Sequence, residues 1–243
     1  VLEMQHNKIG AGGAVALARA IGSLTKLQIL YLNTNKIGDQ GAASLAPALG
    51  RMSKLQELYL DGNAIGDEGA IALAPALGKM TQLKELDLGE NNIGPEGATA
   101  LGQAMGSLTE MKDLGLSGNK IGDEGAAALA LALRNMTQLQ QLRLYRNQIG
   151  VEGAAALAPA LDKMTQLQTL DLTRNKIEKN SATLAFVLEN LAAFQSLQRF
   201  RDTKGNKMNA NGVFHKILDA VAVVVEKRVT LDLSSWGLRD TDM

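Results

Sequence analysis

Seven asparagines, Asn7, Asn35, Asn63, Asn91, Asn119, Asn147 and Asn175, stand 28 residues apart without a slip. An isoleucine follows each by two places, from Ile9 to Ile177, and a glycine column from Gly13 to Gly153 keeps the same step. Self-similarity at a fixed period of this size marks a repeat architecture, in which each unit packs on its neighbours. The register assigns every other residue to a column.

One copy shows what a unit can form. Residues 55–63 read Leu-Gln-Glu-Leu-Tyr-Leu-Asp-Gly-Asn. Leu58 and Leu60 alternate with polar neighbours, which predicts a half-buried strand. Ile65 to Gly69 then lead into Ala70–Leu77, where Leu73, Leu77 and Met80 recur at helical spacing. In the next copy Pro95 stands where proline suits the first helical position. Asp67, Glu68, Asp123, Glu124 and Glu152 fall in first turns, where the helix dipole favours negative charge. Each unit is therefore predicted to be a strand, a tight turn and a helix. Pro47, Pro75 and Pro159 share a mid-helix column and should bend the outer helices on their solvent side.

Such a unit buries both its sides only by stacking. Strands stack about 4.8 Å apart, whereas helices need roughly 8–10 Å. The mismatch bends the stack into an arc. The expected fold is an α/β curved solenoid, with parallel strands on the concave face and helices on the convex face. Aromatics are only 3% of the chain, so Ala, Leu, Ile, Val and Met must fill the core.

The pattern Leu-x-x-Leu-x-Leu-x-x-Asn-x-Ile, as in Leu83–Ile93 and Leu139–Ile149, resembles the leucine-rich-repeat family. The 28-residue length and the Gly-Ala-x-x-Leu-Ala helix are similar to its ribonuclease-inhibitor-like subclass. That subclass includes ribonuclease inhibitor, the repeat domains of NOD-like receptors, Ran GTPase-activating protein and tropomodulin-type actin cappers. The resemblance implies that the asparagine amides satisfy backbone groups at each turn as a buried ladder. It specifies fold more than function, because one scaffold serves different tasks.

The regular repeats cover residues 1–178, the first truncated. Residues 179–243 read as degenerate repeats forming a C-terminal cap of the same continuous domain. There the next Leu-x-x step, Leu197 to Phe200, comes 30 residues after Leu167 rather than 28. A helix over 209–227, a strand over Thr230–Leu233 and Trp236 as a cap filler complete that expectation. The chain opens directly on a strand at Val1–Met4. That edge is expected to meet missing upstream repeats or a neighbouring subunit.

Composition narrows the chemistry. The chain has 25 basic and 25 acidic residues, which argues against a general grip on nucleic acid. It has no cysteine, which removes disulfides, thiol nucleophiles and cysteine zinc sites. Its longest apolar runs, such as Ala70–Leu77 and Ala126–Leu133, fall well short of a membrane span. His6 and His215 lie far apart. Gly10–Gly13 lacks the Gly-Lys-Ser/Thr of a phosphate loop. Asn135-Met-Thr137 matches a glycosylation sequon, but Met136 belongs to a core column. No catalytic, cofactor or metal site is expected, nor membrane insertion, and residence is expected to be intracellular and cytoplasmic, or within an organelle.

The outward strand columns carry the information. Tyr31, Glu57, Tyr59, Asp61, Glu85, Asp87 and Asp113, with Glu90 beside them, form an acidic stretch bearing two tyrosines. Arg143, Tyr145, Arg146 and Arg174 form a basic stretch further along, which Arg199 and Arg201 extend. Like charges about 5 Å apart repel, so stability does not explain the acidic cluster. A non-enzymatic scaffold that binds another protein on its concave face does. The alternatives are a GTPase regulator and a structural subunit of a larger assembly.

Overall fold

The computed structural model describes residues 1–177 and two further strands, Arg199–Arg201 and Lys207–Met208. The units alternate as read: β1 (Leu2–Glu3), α1 (Ala11–Ile21), β2 (Ile29–Tyr31), α2 (Gly38–Leu49), β3 (Glu57–Tyr59) and α3 (Asp67–Leu77). They continue through β4 (Glu85–Asp87), α4 (Pro95–Met105), β5 (Asp113–Gly115), α5 (Gly122–Leu133), β6 (Gln141–Arg143), α6 (Val151–Leu161) and β7 (Thr169–Asp171). The strands Arg199–Arg201 and Lys207–Met208 are β8 and β9. All nine strands lie in one sheet in chain order. Pairing is parallel as far as β8, and only β9 turns back antiparallel.

The 28-residue period fixes the register. Leu30 pairs with Leu58, Leu58 with Leu86, and so on to Leu170. These central strand leucines point inward and are buried. They meet the buried faces of the helices, for example Leu45 and Leu49 of α2 or Leu73 and Leu77 of α3. Met52, Met80, Met136 and Met164 close the layer from the loops after α2, α3, α5 and α6. Small residues let the helices approach. A Cβ on Gly41 would come 2.7 Å from Ile37 Cγ2 and 3.0 Å from Ala14 Cβ, so the glycine column marks close packing on the preceding helix. The three helix prolines lie inside α2, α3 and α6 and are exposed, as their column predicts.

The asparagine column forms the expected ladder. Asn91 donates its amide to the carbonyls of Leu60 and Leu88 at 3.0 Å, and its Oδ1 accepts from the N–H groups of Asn63 and Ile65 at 3.0 Å. A buried backbone turn is thereby satisfied across neighbouring units. Among the described residues no helix is long and apolar enough to cross a membrane. The C-terminal helix, the Thr230–Leu233 strand, Trp236 and His215 lie outside the described residues.

Candidate functional site: the open face of the sheet

Residues on either side of each central leucine point away from the helices. Register therefore sets the outward columns side by side. Glu57 pairs with Glu85 and Glu85 with Asp113. In the second column Tyr31, Tyr59, Asp87, Gly115, Arg143 and Asp171 follow in order. Both columns belong to rigid strands anchored by buried leucines, which holds their side chains in place.

The two tyrosines stack, with ring centroids 4.8 Å apart and planes at 25°. Each also donates its hydroxyl to a carboxylate one unit on: Tyr31 to Glu57 Oε2 at 3.3 Å, and Tyr59 to Glu85 Oε2. These bonds fix the two glutamates against the rings. Burial, followed by the neighbouring carboxylates Glu57 for Tyr31 and Glu85 for Tyr59, raises both phenols above their ordinary pKa. Burial and then Asp87 push the Asp61 carboxyl up to about 6.

One grouping from the sequence changes. Arg143 reads as part of the basic stretch, but its guanidinium lies among the acids, 3.1 Å from Asp87 Oδ2 and 3.0 Å from Asp113 Oδ1. It spans three strands, and Gly115 makes the reach possible. A Cβ on Gly115 would lie 2.6 Å from the Asp87 carboxylate that Arg143 holds. Burial opposes the charge on Arg143, but Asp113 and Asp87 outweigh it and its pKa moves up. Burial raises the Asp113 carboxyl even though Arg143 works to lower it. Asp113 and Arg143 are thus partly neutralised within the face.

Arg146 and Arg174 form no ion pair among the described residues. Arg174 lies over the Tyr145 ring, 5.4 Å from its centroid, in cation–π geometry. Arg146 and Arg174 are exposed, as is Glu90. These three share a column with His6, Thr34, Gly62 and Gly118, and all seven residues have positive φ, from 48° to 69°. The rim of the face is therefore a row of left-handed residues, five of them neither glycine nor asparagine. The backbone pairing Thr169–Arg199 carries the first outward column on to Arg199. Among the described residues no group of three His, Cys, Asp or Glu side chains is placed to hold a metal.

A stack of strand–turn–helix units with an asparagine ladder and a drifting outer face defines a solenoid recognition domain. The Leucine Rich repeat model matches residues 1–18, 23–46, 51–74, 79–102, 108–130 and 135–158, over half of the chain, and the chain belongs to that family. Leucine-rich-repeat domains are scaffolds for protein–protein interaction. Among solved structures the chain is similar to the tropomodulin C-terminal domain of Caenorhabditis elegans, at 16% identity and a TM-score of 0.49, over 63% of this chain and 92% of that one. It is similar also to internalin C2 of Listeria monocytogenes, at 20% identity and a TM-score of 0.48, over 76% of each chain. A search of curated proteins finds no match.

Proposed function

We propose that this protein is a non-enzymatic scaffold that binds a protein partner on the open face of its sheet, contacting both the acidic and the basic stretch. The observation that carries the reading is the stacked Tyr31–Tyr59 pair bonded to Glu57 and Glu85. Tyrosine supplies rigid contact area at low entropic cost, and it is enriched where binding energy concentrates. Beside it the acids outnumber the single arginine, Arg143, that neutralises them. A partner segment rich in Lys or Arg fits this half, and complementary charge speeds and selects its docking. The exposed Arg146 and Arg174, with Tyr145, suit an acidic segment of the same partner.

The test is capture of partners by the intact chain beside paired charge reversals. Glu57→Lys with Glu85→Lys should weaken capture and reduce its salt dependence. Arg146→Glu with Arg174→Glu should do so independently. Lys79→Glu with Lys163→Glu, on the exposed outer loops, should change little. Normal binding by both face variants, with loss in the outer one, would move the working surface to the convex side.

A further inference from the structure

The column at the start of each helix reads Ala11, Asp39, Asp67, Pro95, Asp123 and Val151. Where it is aspartate, Oδ1 accepts two backbone N–H groups of the next unit. Asp39 binds Gly66 at 2.6 Å and Gly69 at 2.9 Å. Asp67 binds Gly94 and Gly97, both at 2.7 Å. Asp123 binds Gly150 at 2.6 Å and Gly153 at 2.9 Å. No described helix has a capping bond from its own N-cap side chain, so these three are capped from the unit before.

The turns that have a unit before them fall into two forms that follow this column; the first turn, with no unit before it, has Gly10 at φ −84° and Ile9 N–H bonded to Asn35 at 3.0 Å. In the three units that succeed an aspartate, Gly66, Gly94 and Gly150 have φ of −100°, −96° and −93°. There the isoleucine N–H reaches the next asparagine: Ile65 to Asn91, Ile93 to Asn119 and Ile149 to Asn175, each 3.0 Å. The units that succeed Ala11 and Pro95 differ. Gly38 and Gly122 are left-handed, at φ +61° and +63°. Their N–H groups donate to the carbonyls of Asn63 and Asn147 at 2.9 Å. Asn63 Oδ1 and Asn147 Oδ1, in residues that are wholly buried, have no partner. The residues that follow those asparagines, Ala64 and Gln148, are left-handed at +56° and +61°. Lys8 of the first unit shares that conformation.

We propose that the residue at the start of each helix is a conformational determinant for the next turn. An aspartate there draws two N–H groups to one oxygen and holds the turn glycine with negative φ. Ala11 and Pro95 offer no acceptor, so the glycine N–H turns to the following asparagine carbonyl. The ladder then loses a bond, and the left-handed conformation passes one unit further. Ala11 and Pro95 therefore each imprint a defect that is read two units along, at Ala64 and Gln148.

Pro95→Asp tests this directly. It should restore the bond from Ile121 N–H to Asn147 Oδ1 and slow Ile121 amide exchange about tenfold, the effect of one added hydrogen bond. Gln148→Gly is the second arm. Glycine relieves a left-handed residue but costs entropy elsewhere. It should raise the denaturant midpoint of the natural chain and lower that of Pro95→Asp. Unchanged Ile121 exchange, or the same sign of Gln148→Gly in both backgrounds, would overturn the proposal. Should Pro95→Asp fail to fold, Asp67 carries the test. Asp67→Ala should speed Ile93 exchange while Asp67→Asn, which keeps Oδ1, should not; equal exchange in the two would overturn it.

Discussion

The first unit and the middle units have the same sequence pattern and different physics. Leu24 is 42% exposed, whereas Met52, its counterpart one unit on, is 1% exposed. Leu2 is half-buried, and Leu30, Leu58 and Leu114 in its column are fully buried. Asn7 is exposed, whereas Asn119 is buried among four backbone partners. Burial in this molecule belongs to the contact between units rather than to the unit itself. A residue's column says what it does, and its neighbours on both sides decide how much that is worth.

Substitutions paired across the two regions can break this comparison. The largest difference is expected in the strand leucines. Leu114→Ala should cost about 2–5 kcal/mol, as a buried cavity does, and Leu2→Ala much less. Equal shifts in urea midpoint would refute it. In the ladder, Asn119→Ala should cost about 1–3 kcal/mol for the backbone groups it orphans, and Asn7→Ala about 0.5 kcal/mol or less. Chemical denaturation of both variants checks this.

A smaller effect is expected on the face. Gly115→Ala should cost about 1 kcal/mol, because the new methyl group crowds the Asp87 carboxylate and disturbs its bridge to Arg143. Glu3→Ala, the exposed counterpart in the first unit, should be neutral. The smallest concerns pH. Asp61 is raised from 3.8 to about 6, so the folded chain holds its proton more tightly than the unfolded chain. Its contribution to stability is complete below about pH 4 and is lost as pH rises through about 6. Asp61→Asn should flatten stability across that window. Gln5, its counterpart in the first unit, does not titrate, so Gln5→Ala should leave the slope unchanged.

The columns made the fold legible from the sequence alone. Period, strand and helix follow from residues that recur in nearly every unit, and the asparagine ladder, which the family resemblance implies, forms except at Asn63 Oδ1 and Asn147 Oδ1. The face was less legible. Tyr31, Tyr59 and the acids stand out because identity drifts in the outward columns while the frame stays fixed, and register sets them side by side. Arg143 stands with the basic residues along the chain but among the acids Asp87 and Asp113 in space. The signal was Gly115, whose missing side chain lets the arginine reach back to Asp87 on β4. The sequence places the aspartates at helix starts, where they act on their own helix dipole, but their bonds to the following unit depend on a relation between columns. The left-handed rim was hidden for a different reason: Thr34, Glu90, Arg146 and Arg174 are not residues that announce positive φ.

The brevity of the strands limits the footprint available to any partner. Most are three residues long, so the outward positions span about 13 Å from the first strand column to the column of Asp61 and Tyr145. Across β1–β7, at about 4.8 Å per strand, this part of the face is about 29 Å long. The strip is then on the order of 400 Å², about half of what one side of a stable protein complex usually contributes. A partner confined to the strip would dissociate quickly. One that laps over the rim beside Asp61 and Tyr145 would meet the exposed Glu90, Arg146 and Arg174, all on left-handed backbone.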